Sequence, residues 1–503
     1  MQNQQNDIDK KDTYSYKSIL KSTSLFGGVQ VYKILIGIVL SKFVAVLLGP
    51  VGVGIRGLLQ SSIQMIEGIT SLGLSRSAVR DVSLVYGTGN HERIGRVVAS
   101  LKKLVWATGV LGMLTTMVLS PILSKIAFGN YDYTIPFIIL SITLLFNQLS
   151  AGQLVILQGM RRLKYLANAS AIGVTVGLVL SVPLYYWLGV KGIVPTLILN
   201  SFTSLLLSWF FSRKISINKV SVTKKEAIAE GRTMIKMGLV MSISSVLSLL
   251  FAYLLRGFIR QQSDIESVGV FTAGFAILNT YVGLIFDAMI KDFYPRLSSV
   301  SNDNAQCRLL VNQQGEIATL IMSPLLTACL IFMPFIILLL YSNQFLGAVA
   351  YIYFSIPGMF FKLASWAIAL IFVAKGSSKL YMSNEILGNT TIFVCSIAGF
   401  YFWGMKGLGI GFSLGFLIYF AKVWWTAQRE YDFSFSVSFW RLFLIQFFLV
   451  LSCLLVVLIF DGIFKFVTGG VLLIISTYFS LIGLNKRTDL LNSIKTRIGH
   501  GKK

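Results

Sequence analysis

Lys33, Glu67 and Lys362 fall near the middle of long apolar segments. A charge facing hydrocarbon there is costly and is kept only where it meets a cavity, water or a partner. Lys42, Arg56, Arg256 and Arg260 lie nearer the ends of such segments, where snorkelling to headgroups is the competing explanation. Arg256 and Arg260, at i and i+4, share a helix face. These six cations outnumber the acids Glu67 and Asp287, so the set favours capture of an anionic group by charge-assisted hydrogen bonds, two-pronged at arginine. Glu67 and Asp287 are the candidates to take up a proton or a sodium ion. The alternatives are ion pairs: Lys33 with Glu67, and Asp287 with Lys291 four residues on. Glu385, early in its segment, resembles Asp287 in this respect. Pro357, followed by Gly358 in mid-segment, removes a backbone donor and is the candidate hinge.

The elements that must hold these residues are helices in a bilayer. Charged residues are 13% of the chain and apolar residues 55%, whereas soluble domains carry about 25% charge. The apolar stretches are long enough to cross roughly 30 Å of hydrocarbon. About fourteen spans are expected, which makes an all-α polytopic membrane protein. The expected organisation is a cytoplasmic tail at 1–23, an N-lobe of six spans at 24–212, a linker at 213–233, a C-lobe of six spans at 234–427, two extra helices at 428–484 and a basic cytoplasmic tail at 485–503.

The net charge of +24 is a matter of topology. Of the 44 lysines and arginines, 34 fall in alternate segments assigned to the inside, and six fall outside: Arg56, Lys125, Lys191, Arg260, Lys406 and Lys465. The asymmetry puts both termini in the cytoplasm and attributes the basicity to anionic lipid, with no nucleic-acid partner. The lead from Met1 to Ser22 is too long and too mixed in charge for a signal peptide, so the first span is expected to be an anchor.

Enzyme chemistry finds no support. Gly52-Val53-Gly54-Ile55-Arg56-Gly57 spells the dinucleotide fingerprint, but it joins two membrane spans where a strand and a helix are required. The two histidines, His91 and His500, fall in cytosolic segments, and Cys307, Cys329, Cys395 and Cys453 have no metal or disulfide spacing. No catalytic set, metal or cofactor is expected, apart from a coupling proton or sodium ion. Gly407, Gly411 and Gly415 recur every four residues, the pattern of tight helix packing.

The chain also repeats itself. Tyr165 and Asn168 are matched by Tyr381 and Asn384, 216 residues on; Trp187-Leu188-Gly189 and Lys191-Gly192 are echoed around Trp403-Gly404 and Lys406-Gly407 at 215 to 216; Val51-Gly52-Val53 returns at Val268-Gly269-Val270. With six crossings in each half, the copies should be parallel, the design of many secondary transporters.

With the repeat, the fourteen spans, the turn Arg161-Arg162-Leu163-Lys164-Tyr165 and the segment Gly52 to Gln60, the chain resembles bacterial polysaccharide flippases of the multidrug, oligosaccharidyl-lipid and polysaccharide exporter superfamily, O-antigen translocase type. The resemblance implies two six-helix lobes, alternating access, and carriage of an undecaprenyl-diphosphate-linked oligosaccharide to the outer leaflet of the cytoplasmic membrane. It implies the lipid-linked oligosaccharide and membrane phospholipid as partners, a functional monomer, and polysaccharide polymerase or chain-length machinery as neighbours. The last two spans would resemble the extra pair that guides a lipid tail. A multidrug or organic-cation antiporter of the same superfamily is the alternative and calls for an acid-dominated cavity; a membrane polysaccharide polymerase calls for a large external loop, where all external loops here are short.

Overall fold

The structure is a computed structural model that describes residues 2–218 and 220–488. The described residues are helical throughout, without strands, and form two compact units, Met1–Val268 and Gly269–Lys503. Nine helical segments among them are long and apolar enough to cross a membrane. Three of the nine each contain two expected spans, so twelve of the fourteen fall there. The seventh lies within a 39-residue helix and the eighth is interrupted by a π turn.

The first unit contains α1 (Gln2–Thr70), α2 (Leu74–Gly87), α3 (His91–Phe128), α4 (Thr134–Gly159), α5 (Leu163–Leu188), α6 (Ile193–Ser212) and α7 (Lys224–Gln262). Where an external loop was expected, α1 turns at Gly49, whose φ of 63° and ψ of −172° only glycine adopts readily, and Pro50 opens the next stretch. Asn90 caps α3 by accepting from the Arg93 N–H, and Thr223 with Glu226 forms a capping box on α7. The short helix α2 was not expected. Its Leu74, Ala78 and Val82 recur every four residues and bury their side chains in a core with Val97, Leu101 and Val155. Glycines bring α7 in close: a Cβ on Gly238 would lie 2.4 Å from the Leu72 carbonyl oxygen, and one on Gly257 would lie 2.8 Å from that of Ile126.

The second unit opens within α8 (Ile265–Ala276) and continues through the π turn Ile277–Tyr281, α9 (Gly283–Ser299), α10 (Asn304–Leu340), α11 (Ala348–Ala374), α12 (Ser378–Tyr431), α13 (Val437–Ile459) and α14 (Gly462–Thr488). The last two of the six spans expected at 234–427 fall on the two arms of α12, which fold back at Trp403 and Gly404. Gly407 and Gly411 press on the carbonyls of Gly399 and Cys395, and Gly415 on Ile392, so this glycine face is the seam of the hairpin. The pair α13 and α14 packs on α10, joined by buried bonds from Gln446 to Ser480 (2.9 Å) and from Ser476 to Gln446 (2.7 Å).

The internal repeat is written in the backbone. After α4, Arg162 N–H donates to the Leu157 carbonyl and Arg161 N–H to that of Gln158; after α11, Ser377 donates to Phe372 and Gly376 to Val373. Arg161 and Gly376 both take positive φ, 55° and 69°. These are one helix-ending motif at a spacing of 215. At the opposite helix ends, Gly189 (φ 55°, ψ −133°) and Gly404 (φ 56°, ψ −136°) are superposable in conformation, again 215 apart. Tyr165 and Tyr381 stand one residue out of this register.

Candidate functional site

The polar centre of the first unit is built on one face of α1. Arg56, Gln60, Gln64 and Glu67, at spacings of four, four and three, line a cavity of about 290 Å³. Eleven residues of helix separate Arg56 from Glu67, about 16 Å along the axis. Thr143 and Asn147 of α4 and Asn200, Ser201 and Ser204 of α6 complete the wall. Asn147 donates to Glu67 Oε2 at 3.1 Å. The Arg56 Nε is buried without a hydrogen-bond partner among the described residues, as is Asn200 Oδ1. A buried donor and a buried acceptor left unmade are costly, and a ligand carrying both functions would relieve both.

Lys33 lines a neighbouring cavity of about 350 Å³ with Gly37 of α1, Ser170, Gly173 and Gly177 of α5, and Asn200, Ser204 and Ser208 of α6. Asn200 and Ser204 thus belong to both walls. Lys33 and Glu67 are not an ion pair: the lysine lines one cavity while the acid takes its hydrogen bond from Asn147 in the other.

In the second unit, Lys362 of α11 donates to Asn279 Oδ1 at 2.8 Å, with Phe416 and Phe286 at 5.5 and 6.0 Å from its Nζ. It shares a cavity of about 280 Å³ with Glu385, Asn389, Trp366, Tyr381 and Tyr419. Tyr419 donates to Glu385 Oε1 at 2.7 Å, and Gly388 makes room for the Tyr419 ring, since a Cβ there would lie 2.2 Å from it. Lys362 stands 215 residues after Asn147, the same position of the repeat. In one unit that position carries an amide bound to a carboxylate, and in the other an ammonium bound to an amide.

The remaining candidates are more dispersed. Arg256 donates to the Ala252 carbonyl of its own helix, and the Arg260 Nε is buried without a hydrogen-bond partner among the described residues. Lys42 is half-buried on α1. Asp287 falls in α9, but its side chain lies outside the described residues, as do those of Lys291 and the tail beyond 488. Pro357 sits inside an unbroken α11. The Ser413 hydroxyl of α12 enters the helix ladder there, accepting from Gly358 N–H at 2.9 Å and donating to the Phe354 carbonyl at 2.6 Å, so the turn at Pro357 is tied to α12.

Sequence reasoning by charge alone passed over the amides Gln60, Gln64, Asn147, Asn200 and Asn279. The spacing of Arg56, Gln60, Gln64 and Glu67 on one face was the available signal. It also passed over Glu316, buried in α10, which accepts from Arg487 Nε of α14 at 2.6 Å.

Comparison with known proteins gives this arrangement a context. The lipid III flippase of Escherichia coli (strain K12) is 21% identical over 421 residues, 80% of this chain and 97% of that protein. Among solved structures, an inward-facing multidrug resistance MATE transporter of the MOP superfamily matches with a TM-score of 0.67 at 15% identity, over 80% of this chain and 94% of that one. The lipid II flippase MurJ in an inward closed conformation matches with a TM-score of 0.64 at 12% identity, over 94% of this chain and all of that one. These structures share the fold of this multi-pass membrane protein. The family described as polysaccharide biosynthesis protein matches residues 43–350, more than half of the chain, and the chain belongs to that family.

Proposed function

We propose that the chain is a flippase that carries a diphosphate-linked, lipid-borne oligosaccharide from the inner to the outer leaflet of a bacterial cytoplasmic membrane, with both termini cytoplasmic. The observation that carries this reading is the first unit's cavity, where an arginine with an unmet donor stands among amides and hydroxyls inside an apolar bundle. Carboxamides and hydroxyls match the alternating donors and acceptors of a sugar, and a guanidinium matches a phosphate in two-pronged fashion. The relationship to a lipid III flippase supports the same class of cargo. Each cavity lies at the lower end of the usual ligand-pocket range of roughly 300 to 1,000 Å³, so each is suited to part of such a cargo.

Outward movement of a diphosphate is downhill in an inside-negative potential by about 2.3 kcal/mol per charge per 100 mV. Glu67 is the proposed acceptor for a coupling proton or sodium ion, with Asp287 as the second candidate. Transport is by alternating access of a monomer, without catalysis, and a polysaccharide polymerase would use the delivered product. The test is deletion of the gene, which should leave lipid-linked oligosaccharide on the cytoplasmic face until the wild-type chain restores it. Normal export without the protein, together with loss of organic-cation efflux, would favour the antiporter.

A further inference from the structure

A further hollow in the first unit belongs to neither polar site. Where the basic linker leaves α6, the helices α3, α4 and α6 leave a groove of about 730 Å³. Its floor is aliphatic, with Leu149 and Ile156 of α4 and Leu205 of α6. Trp106 and Trp209 line it at 54% and 45% exposure, as tryptophans do at the level of lipid headgroups. Lys102, one turn before Trp106, and Arg213, just past the end of α6, supply two cations; Arg213 lies 4.6 Å from the Trp209 ring. No carboxylate is among the described residues of the groove.

We propose that this groove is a binding site for an anionic glycerophospholipid of the adjoining leaflet, its phosphate held by Lys102 and Arg213 and an acyl chain laid along α4 and α6. Charge complementarity selects the occupant. Two cations without a counter-charge call for an anion, and the aliphatic floor calls for a hydrocarbon chain joined to it; an inorganic phosphate would leave the floor wet. Lys214, with its ammonium 4.4 Å from the Phe210 ring, extends the positive rim towards the linker. The site stands apart from cargo movement, so its test reads lipid and not transport.

Native mass spectrometry of the full chain with added phosphatidylglycerol or phosphatidylcholine measures retention directly. The wild type should retain phosphatidylglycerol in preference, by about fivefold for each cation engaged. The variant Lys102→Gln/Arg213→Gln should lose that preference while its thermal midpoint in detergent alone stays unchanged, and Leu205→Trp, which fills the groove, should lower retention of both lipids. Equal retention of the two lipids by the wild type would overturn the proposal, as would an undiminished preference in the double variant. Thermal stabilisation by inorganic phosphate equal to that by phosphatidylglycerol would reduce the site to an ion site. Displacement of phosphatidylglycerol by polyprenyl phosphate at equal concentration would hand the groove to the transported lipid.

Discussion

Glu67 takes its hydrogen bond from Asn147, a residue 80 positions away on another helix, so the acid's chemistry is set by an amide that charge patterning does not reveal. Glu67→Gln keeps a hydrogen-bonding group of the same size facing Asn147 and removes the ionisable one. The variant should fold with an unchanged thermal midpoint and lose at least about tenfold of its flux, the scale of one charge-assisted interaction; undiminished flux at equal expression would end the coupling role. The charges of this site were legible in the sequence because an ion inside an apolar run has few explanations. The amides were not, because a carboxamide in a helix is ordinary until its partner is known. The 215-residue relation between Asn147 and Lys362 shows what duplication preserves, a polar position on equivalent helices, and what it releases, the charge carried there.

Helices were legible as apolar segments, and their ends less so. The expected turn between the first two spans is a single glycine conformation at Gly49, and α2 went unseen because its 14 residues alternate core and charge and lack an apolar run. The sequence suggests an extra pair for the last two helices, while the bond that holds α14 was not foreseen. Arg487 reaches Glu316 Oε2 with its Nε, the Gly483 carbonyl with Nη1 and Ser438 Oγ with Nη2. Arg487→Met should cost about 3 kcal/mol by leaving the Glu316 carboxylate buried without its counter-charge, whereas Glu316→Leu/Arg487→Met should recover most of it. Thermal unfolding in a double-mutant cycle checks this, and additive losses would reduce the pair to two independent side chains. A second prediction concerns the start of α7. Glu226 accepts from the Thr223 backbone N–H at 2.7 Å and from its hydroxyl at 2.9 Å, which holds the carboxyl below its usual pKa. A depressed folded-state pKa means that the cap's contribution is present above the unfolded value, about 4.3, and is lost as pH falls through the folded one. Hydrogen-exchange protection at the first turn of α7, taken relative to the intrinsic rate at each pH, should therefore fall at acidic pH in the wild type, and Glu226→Gln should remove that pH dependence; wild-type protection independent of pH would contradict it.

At the scale of the whole molecule the duplication makes a claim about sidedness. With the six crossings expected between equivalent points, a parallel repeat presents each pair of matched turns to the same side of the membrane. The backbone identifies the pairs without reference to side chains: Arg162 with Ser377, each donating to a carbonyl five residues back, and Val190 with Met405, each following the glycine at φ near 55°. The loop-by-loop balance of lysine and arginine assigns the first pair to the cytoplasm. In a chain with its four cysteines replaced, Val190→Cys and Met405→Cys should both react with a membrane-impermeant thiol reagent in intact cells. Arg162→Cys and Ser377→Cys should both react only after the membrane is opened. Matched positions labelling from opposite sides would make the repeat inverted, and the parallel two-lobed design would fail; both pairs reversed would leave the repeat intact and overturn only the orientation read from the charges. The test therefore separates two inferences drawn from one sequence, the repeat from its spacing and the orientation from its basic residues.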